Sequence, residues 1–308
     1  MKFEFTIDDM KKEYPELTDE LLEKLHHAIE EQNLPKTPET KLGIFAHSCY
    51  FDFQRTMRCI TNFYQQRTAS PELFGNMDPD HETMQLVLDT LCFASLPVTT
   101  PEGYRIILHR LEDMRPEKYI MDDAIKMLIM AAEIDLYAIG CKPGTLLLFD
   151  TKGVRLGHLL RVSLSSVRKF LEYVQDALPI RLKGIYILNG VWFMSKILAL
   201  IRPFLRQEVY EMIHIYTGDV SEVYPAIPQQ CLPKDYGGEL SSVYDLRGEL
   251  REKLHKWRNN FLEEESLYYN HYITKRNELS GSKKGKTEMT KDESIEQSNE
   301  SNTDTNDS

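Results

Sequence analysis

Two short apolar runs, Thr145 to Asp150 (TLLLFD) and Gly184 to Asn189 (GIYILN), constrain this chain more than any other feature. Each has the length of a strand, and the first is bounded by Pro143-Gly144 and by Gly153. A continuous apolar run that is too short for a helix fits a strand buried on both faces, as in a parallel sheet covered by helices. Tyr104 to His109 (YRIILH) reads as a further strand and His214 to Tyr216 as another. Between them, Met121 to Ile139 reads as a long apolar helix, and Ser163 to Gln175 as a helix with Ser163 at its N-cap. Apolar strands alternating with helices predict an α/β fold built on a mostly parallel sheet.

Upstream of about Pro97 the pattern is helical. Thr18 to Gln32 places Leu21, Leu22, Leu25 and Ile29 at helical spacing behind a Thr18 cap, and the segment NLPKTP then breaks it. Phe51 to Arg67 and His81 to Phe93 read as further helices. The expected organisation is a small all-α domain over 1–95, an α/β domain over 96–245 and a C-terminal helix over 246–279. The remaining 280–308 lacks aromatics and nearly all aliphatics, so it is expected to be a disordered tail.

A net charge of −11 argues against nucleic acid as a partner, because a polyanion rewards a basic surface. The first residues, MKFEFTIDDMKKEYP, put acids where a signal peptide needs its apolar centre. Five scattered cysteines without CxxC spacing fit reduced thiols, and the expected location is cytoplasmic. The longest apolar stretch, Val191 to Leu205, is interrupted by Ser195, Lys196, Arg202 and Pro203, so any membrane contact is expected to be peripheral. GxGxxG, GxxxxGK[ST] and GxSxG signatures are absent, and the adjacent His26-His27 point to different sides of a helix. Asp122-Asp123 reads as a helix start and Glu263-Glu264-Glu265 as an exposed helical run. No enzyme, cofactor or metal site is expected from these residues.

Four landmarks then stand in a defined order: PGTLLLFDTKGVRLGH, LPIRLKGIYILN, VWFMSKILALIRPFL and LPKDYGG. Together they resemble the CRAL-TRIO lipid-binding family over roughly Pro97 to Tyr244. The resemblance implies an internal apolar cavity for one tocopherol-, retinoid- or phospholipid-like molecule. It implies pocket residues at Phe149, Val162, Phe170, Tyr173, Leu178, Ile180 and Ile185, although core filling gives the same sequence pattern. It implies a movable gate helix carrying Trp192, Phe193, Ile197, Leu198 and Ile201, ended by Pro203. Tyr119, Tyr137, Tyr173 and His158 are candidates to hydrogen-bond a polar end of the ligand. Arg181 and Lys183 fall where the family's phosphoinositide-headgroup patch begins, and two further basic positions of that patch are Glu208 and Met212 here. The function so implied is lipid binding and transfer between membranes, and the alternative is a lipid-dependent adaptor that binds protein partners.

Overall fold

In a computed structural model of the chain, the backbone is described for residues 1–300 and side chains through Ile273; the tail expected to be disordered, 280–308, lies outside the fully described residues. Six helices come first: α1 (Ile7–Glu13), α2 (Asp19–Glu31), α3 (Glu39–Ser48), α4 (Phe53–Ala69), α5 (Pro71–Phe74) and α6 (Glu82–Thr90). The sheet strands are β1 (Leu91–Ser95), β2 (Tyr104–Leu111), β3 (Gly144–Asp150), β4 (Leu182–Leu188) and β5 (Ile213–Ile215). They lie in the order β1-β2-β3-β4-β5. Only β1 runs antiparallel to its neighbour, and the other three pairings are parallel.

Parallel neighbours need crossovers, and helices supply them. The helix α7 (Met121–Ala138) joins β2 to β3. Two helices, α8 (Leu156–Leu159) and α9 (Leu164–Asp176), join β3 to β4. The third crossover holds α10 (Met194–Ile201) and α11 (Gln207–Glu211). The last helix is α12 (Val243–Glu300).

Strand pleating sorts side chains onto two faces. Ile107, Leu147 and Ile185 lie in one register row, and His109, Phe149 and Ile187 form the next row on the same face. That face packs on α7, which is buried almost throughout from Asp123 to Tyr137, and on the N-terminal helices. The opposite face buries Ile106, Leu108, Leu146, Leu148 and Leu188 against Ile227, Leu232, Tyr236 and Val243.

One carboxylate explains three of the sequence landmarks. Asp150, at the end of β3, accepts from Tyr236 Oη at 2.9 Å, from Asn189 Nδ2 at 2.7 Å and from the Lys152 backbone at 2.9 Å. It thereby ties the ends of two strands to the LPKDYGG loop.

A second polar cluster lies between the N-terminal helices, α7, α9 and α12. Lys41 pairs with Glu264, and Arg67 with Glu133, all four side chains being at most 2% exposed. Tyr137 Oη donates to Glu264 at 2.9 Å, and Arg67 Nη2 donates to Tyr173 Oη at 2.8 Å. Glu264 therefore corrects the reading of Glu263-Glu264-Glu265 as an exposed run: it faces inward and balances two buried cations. Burial pushes the Glu133 carboxyl up to about 7 against the pull of Arg67, whereas Lys41 and Arg67 together hold Glu264 below the ordinary carboxylate range against its burial.

Candidate functional site

The apolar cavity opens on the helical side of the sheet, toward the C-terminal ends of β2 and β3. Its volume is about 230 Å³. The sheet contributes His109, Leu111 and Phe149, and the segment before and at the start of α7 contributes Tyr119 and Met121. Val154, His158, Leu159, Val162 and Val167 line it from the α8–α9 segment, and Phe193, Ile197, Leu200 and Ile201 close it from the α10 side.

The roof is built from local sequence. Gly153, with φ +83°, turns the chain sharply after β3, and a Cβ there would collide with Met114. Arg155 N donates to His158 Nδ1 at 3.0 Å, which fixes the short helix α8. Ser163 caps α9 by accepting from Ser166 N. Helix α10 begins after Phe193 and stops at Ile201, where Arg202 to Phe204 tighten into a 3-10 turn around Pro203.

The residues implied as pocket and gate separate into distinct places. Phe149, Val162, Phe193, Ile197 and Ile201 line the cavity. Trp192 points outward and is 75% exposed, while its neighbour Phe193 is 2% exposed. Leu198 is half-buried off the cavity wall. Phe170 and Ile185 pack against the large core beside the cavity rather than lining it. Tyr173 does not reach the cavity, because its hydroxyl belongs to the buried ionic cluster. Leu178 and Ile180 line a different, open cleft of about 690 Å³ with Arg55, Arg58 and Arg206.

Candidates for a polar end sort in the same way. Tyr137 is committed to Glu264, and both Asp150 oxygens are already bonded. Tyr119 and His158 remain at the cavity, their rings meeting edge to face at 5.8 Å. The residue that sequence reasoning missed is His109, whose imidazole sits between the rings of Phe93 (4.5 Å) and Phe149 (5.5 Å). Its signal was available: two residues after Ile107 on a strand, it shares that residue's face. Burial lowers its pKa to about 4.

Neither basic candidate is free. The Arg181 guanidinium donates twice to the His47 carbonyl, at 2.8 and 2.5 Å, and lies over the Tyr50 ring at 4.1 Å. Lys183 Nζ donates to Tyr50 Oη at 3.1 Å.

A largely parallel sheet with helices crossing one face, and an apolar cavity roofed by a short apolar helix, defines the class: an α/β domain with an internal apolar cavity beside its sheet. Residues 91–238 match the CRAL/TRIO domain and residues 14–84 the Pinta-like UBA domain, so the chain carries a CRAL-TRIO domain preceded by a UBA-like helical region. The human "Alpha-tocopherol transfer protein-like" is 26% identical over 232 residues, covering 75% of this chain. "Clavesin-1" of Xenopus laevis is 21% identical over 212 residues, covering 68% of this chain and 64% of its own length. The chain spans 63% of the length of the human relative. The crystal structure of Sfh5 matches at TM-score 0.51 and 12% identity, covering 80% of this chain and 92% of the other, a likeness of fold. Among the described residues no helix is long and apolar enough to cross a membrane.

Proposed function

We propose that this protein binds one hydrophobic lipid in the cavity beneath α10 and transfers it between membranes, with α10 and its flanks acting as the gate. The observation that carries the reading is the two-sided roof. Its inner side lines the cavity through Phe193, Ile197 and Ile201. On the segments that build the roof, large apolar side chains also stand in water: Leu156, Leu160 and Leu164 along α8 and α9, and Trp192 just before α10. Large apolar side chains left in water on the segments that build a cavity wall suit a surface that meets another apolar phase. A roof that carries apolar side chains inside and outside can exchange burial over a ligand for burial in lipid.

Size supports a moving roof. About 230 Å³ lies below the ~300–1,000 Å³ typical of small-molecule pockets, so a long lipid requires the roof to swing outward. Each Å² of apolar ligand surface removed from water contributes about 25 cal/mol, which needs no charge pairing. With the roof swung outward, the tocopherol-like ligand suggested by the human relative's name is one candidate and a retinoid another. Membrane contact in this reading is peripheral and transient, and the working location is the cytoplasm. Phosphoinositide recognition through Arg181 and Lys183 has little support, because both side chains are already engaged and Glu208 faces the neighbouring cleft.

Native mass spectrometry with organic extraction of the purified chain tests the proposal. One stoichiometric apolar ligand is expected, together with uptake of fluorescent tocopherol or retinoid analogues and their release to acceptor vesicles. A protein that carries none and takes up none would overturn the carrier reading and leave the adaptor.

A further inference from the structure

The cavity is apolar around most of its wall, and three of the polar side chains that line it carry ring nitrogens or a phenol hydroxyl. His109 comes from β2, Tyr119 from the segment before α7, and His158 from α8. Among the described residues no other side chain hydrogen-bonds to the His109 imidazole, and the group that supports its proton is the residue's own backbone. A neutral imidazole carries one donor and one acceptor nitrogen, so the acceptor is left for something inside the cavity. The Tyr119 hydroxyl likewise makes no hydrogen bond among the described residues, and its proton is free to donate. His158 adds a second donor: its Nδ1 accepts from Arg155 N, so in the neutral ring the proton sits on Nε2, which is buried without a partner.

The wall also offers no accessible charge. Asp150 contributes to the lining, but its two oxygens are occupied by Tyr236, Asn189 and the Lys152 backbone. Burial lowers the pKa of His109 and of His158, so both rings are neutral at neutral pH. An ionised carboxylate or phosphate brought here would be desolvated without a counter-charge, whereas a hydroxyl would find both an acceptor and a donor.

Resting on the carrier reading, we propose that His109 and Tyr119 are the specificity-determining pair of the cavity and select an uncharged lipid alcohol. The His109 nitrogen accepts the ligand O–H, and the Tyr119 hydroxyl donates to the ligand oxygen. The apolar body of the ligand then runs toward Phe193, Ile197 and Ile201, so the alcohol end enters first and leaves last. An unassisted apolar cavity would rank ligands the other way, preferring a hydrocarbon to its alcohol because the hydroxyl must give up water.

Three probes of one carbon skeleton separate these possibilities: farnesol, farnesene and farnesoic acid, titrated into the full chain at neutral pH. Farnesol is expected to bind about tenfold more tightly than farnesene, the equivalent of roughly one well-made hydrogen bond, and the acid most weakly. His109→Phe keeps the ring between Phe93 and Phe149 and is expected to abolish the preference for farnesol while leaving farnesene affinity within about twofold. Tyr119→Phe, at a partly exposed position away from the strands, is expected to reduce the preference independently, and serves if the first variant folds poorly. Farnesoic acid binding as tightly as farnesol, or both variants retaining the preference, would overturn the assignment while leaving a lipid carrier standing. Failure of all three probes to bind would bring down the carrier reading and this assignment together.

Discussion

Replacing Leu160 and Trp192 with Ala isolates the outer side of the roof. Leu160 is 88% exposed and Trp192 is 75% exposed, so neither supports the fold through burial. Leu→Ala removes three carbons at about 0.8 kcal/mol each, and scaling by exposure leaves about 2 kcal/mol. Three-quarters of an aromatic payload of roughly 150–250 Å², at about 25 cal/mol per Å², gives about 3–5 kcal/mol for Trp192. Side chains that reach only the headgroup boundary recover about half of this, so the double variant forfeits roughly 2.5–3.5 kcal/mol of membrane affinity. That corresponds to partitioning weakened by about 70- to 400-fold. The assay is flotation with uncharged phosphatidylcholine vesicles, which removes electrostatic attraction from the comparison. Thermal unfolding serves as the control, because surface substitutions normally move stability by no more than about 0.5 kcal/mol. A folded double variant that partitions within about threefold of the parent would refute the docking surface and the two-sided roof with it.

Three further expectations concern the frame. Glu264→Gln strips the buried cations Lys41 and Arg67 of a shared counter-charge and is expected to cost about 3–5 kcal/mol in chemical denaturation; a change below about 1 kcal/mol would contradict the buried network. Burial, with Arg181 and Arg105 nearby, lowers His47 to about 3, so between about pH 6.5 and pH 3 the unfolded chain binds a proton that the folded chain does not. Stability from this group is thus lost as pH falls, by about 2 kcal/mol between pH 7 and pH 5, and His47→Phe should flatten the denaturation midpoint over that interval; an unchanged pH slope would be inconsistent with a buried neutral ring. Arg181→Ala leaves the His47 carbonyl without its charged donor and is expected to lower stability by about 1.5–3 kcal/mol, whereas Lys183→Ala changes it by less than about 0.5 kcal/mol. Equal effects of the two would contradict the structural role given to Arg181.

Much of the frame was legible. The runs TLLLFD and GIYILN became β3 and β4, and the Ser163 cap and the long apolar helix α7 lie where periodicity and capping chemistry put them. Several short elements were not, and α3 and β1 show why. The helix α3 carries apolar residues on all sides because it is enclosed on all sides, so it has no polar face to reveal its period. The strand β1, LCFAS, continues directly from α6 without a turn residue, and its apolar side chains extend the helical pattern before it. The cavity was only partly readable. A side chain that lines a void and one that fills a core have the same composition, and the register separating Phe149 from Tyr173 is set by long-range packing. The ionic cluster did leave a trace, Glu133 among the apolar residues of α7, but members of the cluster such as Lys41 and Glu264 lie 223 positions apart in the chain.

That cluster also governs how such a sequence can drift. Two cations and two anions, sealed from water, tolerate concerted replacement by apolar residues of similar volume far better than the loss of any single member. Each of Lys41, Arg67, Glu133 and Glu264 is therefore held in place by the others, and single-step mutation away from the set passes through a poorly folded intermediate. Substitutions at these four positions should be inherited as a block, and a lineage that has lost one of the charges should have lost its counter-charge as well.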